Sequence, residues 1–256
     1  MSIPLSTVRE ASAEQLEAAF SGPPEEAARW IAAAARAGMV EAQILYGQIL
    51  LEGRGVKEDR SAALGWFQAA AGAGNLKALT MVGRCHELGW GTPIDLRRAR
   101  AIYRDAAAKG FDWAQYNLAA LLAREGDRAG ALAWYRRAAE QGHAKSMTVL
   151  GRFLEAGWET PPDPAAAHAL YARAAALGDF RAQFNMGTLA TAAGDIPAAL
   201  RWFGQAAAQG SPGFLGKMAM ALLARPEAEL RALGARIEAA RAAGGRIAET
   251  PVAEEG

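Results

Sequence analysis

The chain has 256 residues, with 28 lysines and arginines against 27 aspartates and glutamates, and a single cysteine. This length allows one or two domains with a sizeable hydrophobic core. A net charge near +1 excludes the large basic excess of many nucleic-acid-binding proteins, and one cysteine excludes a disulfide framework or a cysteine-cluster metal site. Hydrophobic residues, many of them alanine, make up 52% of the chain, which favours tightly packed helices.

The N-terminal residues lack the basic region and apolar stretch of a secretory signal, and no run of 18 apolar residues could span a membrane. We therefore expect a cytoplasmic protein without direct membrane insertion. The sequence predicts a short helix over residues 12–21, in which Ser12 and Gln15 form a capping box and Leu16 and Phe20 cover the first repeat.

Internal repeats organise most of the chain. Six glycines, separated by 32 or 36 residues, end alanine-rich segments, and an aspartate stands fifteen residues before each of the last five. Aspartate caps the start of a helix, and glycine tolerates the left-handed conformation that ends one. Each Asp-to-Gly interval therefore predicts one helix, called helix B, and each Gly-to-Asp interval predicts another, called helix A. The glycines are Gly38, Gly74, Gly110, Gly142, Gly178 and Gly210, and the aspartates are Asp59, Asp95, Asp127, Asp163 and Asp195.

Helices A and B carry matching large and small residues. The seventh residue before the closing glycine of helix B is Ile31, Phe67, Tyr103, Tyr135, Tyr171 or Phe203. The ninth residue after the glycine, within helix A, is Gly47, Gly83, Ala119, Gly151 or Gly187. Glycine inside a helix costs about 1 kcal/mol relative to alanine. Its recurrence at one position therefore predicts a close approach of helix B.

These features resemble the Sel-1-like repeat, a 36-residue relative of the tetratricopeptide repeat. The resemblance rests on Ala42-Gln43, Tyr46-Gly47, Gly53-Arg54-Gly55-Val56, Trp66-Phe67 and Ala70-Ala71 to Gly74, and on the recurrence of this pattern in five repeats. It implies an all-α fold, a right-handed solenoid of antiparallel helix pairs in which helices A line the inner groove. Members of the family are mostly adaptors or scaffolds in protein complexes and signalling pathways. The 32-residue repeats depart from the pattern because they lack the long A–B loop.

The repeats predict the organisation of the whole chain. We expect an N-terminal capping helix over residues 1–22, a solenoid over 23–210, a degenerate repeat or C-terminal cap over 211–245, and a disordered tail over 246–256. The solenoid begins with a half unit over 23–38. Its five repeats are 39–74, 75–110, 111–142, 143–178 and 179–210, numbered 1 to 5 below.

A larger duplication relates residues 75–142 to residues 143–210, with 30 of the 68 aligned positions identical. Two interpretations remain open: similarity inherited from a two-repeat block, or selection for two equivalent sub-sites in the groove. The recurring polar and aromatic residues include Lys77, Arg84, Glu87 and Trp90, which reappear as Lys145, Arg152, Glu155 and Trp158.

Helical geometry places the third, sixth, tenth and thirteenth residues of helix A on the side facing away from helix B. In the resembling families this side lines the groove. Its candidate partner-binding residues are Lys77, Arg84, Glu87, Trp113, Tyr116, Lys145, Arg152, Glu155, Arg181 and Phe184, and Ile44, Thr80 and Thr148 lie at its sixth position. Basic groups beside aromatic rings suit an extended acidic peptide or a terminal carboxylate. The alternative is a solvated helix face with Arg84–Glu87 and Arg152–Glu155 pairs.

Trp90 and Trp158 lie in the long loops, either as covers of the loop or as exposed anchors for a partner. No phosphate loop, nucleophile elbow or zinc-protease motif occurs, and the three histidines lie in separate segments. Cys85 takes an inward position of helix A, which favours a small core residue over a nucleophile. We therefore expect no catalytic residue, cofactor or metal ion.

The sequence predicts a non-enzymatic adaptor or scaffold, active in a bacterial-type complex or signalling pathway. Its partner would be a protein or peptide with acidic residues rather than a nucleic acid, and the chain would be a monomer. Two other functions stay open: a hydrolase acting on cell-wall or amide substrates, and a structural protein that assembles through its ends.

Overall fold

The computed structural model describes residues 3, 4, 7 and 21–244, and this part of the chain contains helices and no strand. The chain divides into two compact units between Leu121 and Leu122, called here the N-terminal and the C-terminal unit. The predicted helix over residues 12–21, except its last residue, and the predicted tail over 246–256 lie outside the described residues.

Thirteen helices lie between residues 24 and 242, most of them 13 residues long. The N-terminal unit contains α1 (Pro24–Arg36), α2 (Val40–Glu52), α3 (Arg60–Gly72), α4 (Leu76–Leu88) and α5 (Leu96–Ala108), and α6 (Asp112–Arg124) crosses the division. The C-terminal unit contains α7 (Arg128–Glu140), α8 (Ala144–Ala156), α9 (Pro164–Ala176), α10 (Phe180–Ala192), α11 (Ile196–Gln209), α12 (Pro212–Leu223) and α13 (Ala228–Ala242). Even-numbered helices from α2 to α10 are the predicted helices A, and odd-numbered helices from α3 to α11 are the predicted helices B. The all-α repeat prediction is confirmed.

The helix ends follow the predicted capping chemistry. In every helix B from α3 to α11 the preceding aspartate accepts a hydrogen bond from a backbone N–H of the first turn, as Asp59 does from Ala62 at 2.8 Å. The closing glycines of the first five predicted segments adopt a positive φ, between 82° and 93°. Gly210 is the exception, with φ at −66° in an extended conformation.

The contact between helices A and B depends on glycine. A Cβ atom placed on Gly83 would lie 2.6 Å from the ring of Tyr103, and one placed on Gly151 would lie 2.5 Å from the ring of Tyr171. Both rings are buried, with at most 1% exposure. Gly47 meets Phe67, and Gly187 meets Phe203, in the same way. The predicted close approach is confirmed in these four repeats.

One buried position carries a polar ring. His86, on α4, is 5% exposed and stands where other repeats have leucine, for example Leu50 and Leu122. Within the described part of the chain neither of its ring nitrogens has a hydrogen-bond partner. Burial and then the positive charge of Arg98 lower the pKa of His86 below its ordinary value, and Asp95 opposes them. Folding therefore favours the neutral form of this ring.

We expect Gly83→Ala to lower the free energy of unfolding by about 1–2 kcal/mol, because the new methyl group must displace the Tyr103 ring. The matched control is Gly65→Ala in α3, where a Cβ atom would meet nothing within 4 Å. This control should raise the stability by about 0.5–1 kcal/mol. Urea unfolding measures both. A destabilising Gly65→Ala, or a neutral Gly83→Ala, would contradict the steric explanation.

We expect the stability of the wild-type chain to fall more steeply than that of His86→Leu between pH 7.5 and pH 5.5. As the pH falls through about 6.5, the unfolded chain protonates this histidine, whereas the folded chain, in which its pKa is lowered, does so only at lower pH. The unfolded state then binds more protons, which costs at most about 1.4 kcal/mol per pH unit. Urea unfolding at both pH values gives the comparison, and equal losses in the two proteins would show that His86 does not contribute.

Candidate protein-binding site

The exposed face of helices A is narrower than the sequence predicts. The sixth position is buried in three repeats, where Ile44, Thr80 and Thr148 are 1%, 4% and 3% exposed. The placement of these three residues on a ligand-facing surface is therefore wrong. Thr148 shows the reason, because its hydroxyl donates to the carboxylate of Asp179, the cap of the next helix A, at 2.9 Å. The sixth position thus belongs to the contact between neighbouring repeats.

Phe184, also at the sixth position, is half-buried against its neighbours. Its ring lies 5.3 Å from Phe203 and 5.7 Å from Phe214, between ring centroids, and packs against a core cluster of the C-terminal unit. Arg181, one turn earlier in α10, stays exposed, with its guanidinium 4.5 Å from the ring centroid of Phe180. Of the two residues that the sequence nominates in repeat 5, the arginine is therefore the accessible one.

Two aromatic residues of α6 lie at the surface of the N-terminal unit. The side chain of Trp113 is 43% exposed, and Tyr116 is half-buried with its ring edge towards the indole, 6.3 Å between centroids. An exposed indole supported by a second ring is typical of an anchor for a binding partner.

The candidate partner-binding residues of helices A, from Lys77 to Phe184, are called the predicted row below. Its two glutamates are hydrogen-bonded to helix B. The hydroxyl of Tyr103 donates to Glu87, and that of Tyr171 donates to Glu155, both at 2.8 Å. Burial raises the pKa of each tyrosine, and the neighbouring glutamate raises it further. Each tyrosine therefore keeps its hydroxyl proton and donates it in a hydrogen bond to one carboxylate of the row.

The arginines of the row stack on the loop tryptophans. The guanidinium of Arg84 lies 5.0 Å from the ring centroid of Trp90, and that of Arg152 lies 5.8 Å from that of Trp158. Among the described residues neither arginine forms an ion pair. The predicted alternative of Arg–Glu pairs along the helix is therefore not what the structure forms, and both cations keep donors for an external acceptor.

The remaining cations of the row are Lys77, which is exposed, and Lys145, which is half-buried.

The two loop tryptophans also differ in exposure. Trp90 is half-buried against the core of the N-terminal unit, as expected of a loop cover. Trp158 is 38% exposed and has Phe153 at its edge, 5.4 Å away. The second tryptophan thus combines a packed edge with an open surface.

A cleft of about 410 Å³ adjoins the Arg84–Trp90 pair in the N-terminal unit. Arg60 and Arg84 supply its cations, Glu52 supplies one carboxylate, and Leu51 and Met81 supply apolar walls. Sequence reasoning missed Arg60, the first residue of α3. The available signal was that arginine follows the capping aspartate twice, as Arg60 after Asp59 and as Arg128 after Asp127.

Cys85 lies inside α4, buried as predicted. Burial raises the pKa of its thiol to about 11, although the positive charge of Arg84 works in the opposite direction. Within residues 21–244, no three histidine, cysteine, aspartate or glutamate side chains are placed to hold a metal ion together.

Comparison with known proteins places the repeats in a family. The family model described as Sel1 repeat matches residues 40–75, 76–111, 114–143, 144–179 and 181–211, about two thirds of the chain. The chain belongs to the Sel1 repeat family. Sel1 repeat proteins generally bind other proteins and generally serve as non-enzymatic scaffolds. No curated protein matches the chain in a sequence comparison.

Solved structures share the Sel1 repeat fold. A Sel1 repeat protein from Oxalobacter formigenes has 24% identity and a TM-score of 0.72, with 91% of this chain and all of that protein covered. A protective antigen from uropathogenic Escherichia coli, c5321, has 25% identity and a TM-score of 0.65. The match covers 88% of this chain but 52% of the antigen, about half its length. Immunity protein Pa5087 from Pseudomonas aeruginosa has 17% identity, a TM-score of 0.59, and 83% and 85% coverage.

None of the helices in the described part of the Sel1 repeat chain is long and apolar enough to cross a membrane.

We expect Cys85 to react with a thiol reagent such as 5,5′-dithiobis(2-nitrobenzoate) at least a hundredfold more slowly in the folded chain than in urea. The thiolate is the reactive form, and a thiol with a pKa of about 11 is only about a thousandth ionised at pH 8. In urea the single cysteine should give one thiol per chain. Equal labelling rates in the two states would show that the site is open to the reagent.

Proposed function

We propose that this Sel1 repeat protein is a non-enzymatic adaptor that binds a segment of a partner protein on the exposed face of its helices A. One observation carries the proposal: Arg84 and Arg152 each stack on a tryptophan and have no ion pair among the residues that the structure describes. A cation held over an aromatic ring, with its donors open, is matched by a carboxylate. The partner segment is therefore acidic.

Other residues of the same face support the proposal. Trp113 offers an exposed ring in the N-terminal unit, and Lys77 and Arg181 add exposed positive charge in the two units. Tryptophan, tyrosine and arginine are the residue types that contribute most to protein interfaces. A binding face of this composition also agrees with the general role of Sel1 repeat proteins. The proposal includes a cytoplasmic location and a monomeric chain, which cell fractionation and light scattering test.

The proposal is tested by a photo-crosslinking amino acid placed at Trp113 in the full chain, in its native cell. We expect a discrete crosslinked partner, identified by mass spectrometry. Once the partner is purified, Trp113→Ala should weaken its binding about tenfold, since a central aromatic anchor contributes about 1–2 kcal/mol or more.

Arg104 on α5 provides the matched control, because it is exposed in the same unit but lies on a helix B. A crosslinker at Arg104 should not capture the same partner, and Arg104→Ala should leave the affinity unchanged. Identical capture at both positions, or no partner at Trp113, would contradict the proposed face.

A further inference from the structure

Each loop tryptophan is associated with two arginines, and only one of them belongs to the predicted row. In the C-terminal unit the guanidinium of Arg128 lies 5.7 Å from the ring centroid of Trp158, and that of Arg152 lies 5.8 Å from it. Arg60 and Arg84 line one cleft with Trp90 in the N-terminal unit. Both arginine pairs are separated by 24 residues, and the two sets are related by the shift of 68.

The fold brings the first arginine of each set to the loop. A Cβ atom on Gly91 would collide with the backbone of Arg60, so the loop that begins after α4 lies directly against the first turn of α3. Glu159 takes the corresponding place after α8, and it adopts a left-handed φ of 56°. A non-glycine residue in this conformation is uncommon. Glu159 thus has the same left-handed backbone conformation as Gly91, whose φ is 70°.

The two arginines of the C-terminal set form no ion pair within the described part of the chain. Arg128 and Arg152 are both exposed. Glu155, the nearest carboxylate of the row, accepts a hydrogen bond from Tyr171. Two guanidinium groups, neither of them in an ion pair among the described residues, therefore share one half-open indole.

The charges in the N-terminal set are partly compensated. Arg60 forms an ion pair with Glu58 at 2.6 Å, whereas the short loop before Arg128 has Gly126 and Asp127, and Asp127 caps α7. Within the described ranges, Arg84 forms no ion pair of this kind. The two sets therefore share their geometry but differ in the charge that they offer to a ligand.

We propose that Arg128, Arg152 and Trp158 form a binding site for two neighbouring carboxylates of an acidic protein segment, and that Arg60, Arg84 and Trp90 form a second, weaker copy. Each guanidinium can donate two parallel hydrogen bonds to one carboxylate, so two arginines match two acidic side chains. The indole orients both cations and offers an apolar surface to the methylene groups of glutamate. This inference rests on the proposed function, and it names the chemistry of the partner segment.

The test is a titration of the ¹⁵N-labelled full chain with a blocked nine-residue peptide that has four glutamates around one leucine. The indole N–H signals of Trp158 and Trp90 are assigned by Trp158→Phe and Trp90→Phe. We expect saturable shifts at both signals, with Trp158 saturating at the lower peptide concentration. The same peptide with four glutamines should shift neither signal.

Variants separate the two sites. The double variant Arg128→Gln/Arg152→Gln should weaken binding at Trp158 at least tenfold and leave the Trp90 titration unchanged. Glu58→Gln should release Arg60 and strengthen binding at Trp90 severalfold. Arg137→Gln is the matched control, because its guanidinium stacks on another tryptophan of the C-terminal unit, Trp134, at 4.7 Å. This control should change neither titration. Circular dichroism verifies that each variant folds.

Three results would overturn the inference: no shift at Trp158 with millimolar glutamate peptide, equal shifts with the glutamine peptide, or a response to inorganic phosphate alone. Failure of this inference is distinguishable from failure of the proposed function. A partner captured through Trp113 that binds the wild type and Arg128→Gln/Arg152→Gln equally would leave the adaptor function standing and remove the two-arginine site.

Discussion

The contact between an aromatic ring of helix B and a glycine of helix A determines how each repeat presents its surface. Because glycine has no side chain at the crossing, the ring of Tyr103 or Tyr171 reaches across helix A. Its hydroxyl then emerges beside the thirteenth residue, where it binds Glu87 or Glu155. The packing contact therefore engages the acidic member of the row and leaves the arginine three residues earlier for other acceptors. A phenylalanine ring at the same crossing, as in Phe67 or Phe203, carries no such hydroxyl.

The long A–B loops build on this arrangement. They begin where helix A ends, and in repeats 2 and 4 they carry a tryptophan back over the arginine of the same helix, as Trp90 does over Arg84. The long loop of repeat 1 contains no tryptophan. The backbone contact between Gly91 and Arg60 then joins the loop to the preceding helix B. Short loops such as Gly126–Asp127 leave no room for a tryptophan. The long loops of repeats 2 and 4 are therefore what places one tryptophan beside two arginines in each unit.

Much of the fold could be predicted from the sequence, because it depends on contacts between residues close along the chain. The capping aspartates, closing glycines and Gly–aromatic crossings all follow from the spacing within one repeat. The candidate site was predicted less well. Thr80 and Thr148 are buried by the neighbouring repeat, and helical geometry of a single A–B pair cannot show this neighbour. Arg60 belongs to a helix B, whereas the pattern that predicts the binding face is a pattern of helix A. Glu87 could have paired with Arg84 or accepted a hydrogen bond from Tyr103. Which of the two occurs depends on how close the Tyr103 ring comes to helix A, and this distance is set by tertiary packing.

The duplication of 68 residues can now be divided by what each recurring residue contacts. Gln115 and Gln183 recur because each donates to a backbone carbonyl of the preceding helix B, that of Ala107 or Ala175, at 3.3 Å. Inheritance and structural need explain such a pair without any ligand. Among the described residues neither Arg84 nor Arg152 donates to a backbone carbonyl, although Arg84 contacts the sulfur of Met81, and packing a loop tryptophan does not require a cation above its ring. The difference at Glu58 is informative for the same reason. A stack with a purely structural role would not depend on whether the second arginine forms an ion pair. The affinity of a carboxylate-binding site, in contrast, would be lower where that arginine is paired, as Arg60 is with Glu58. The variation between the two copies thus lies in the property that a charged ligand would sense.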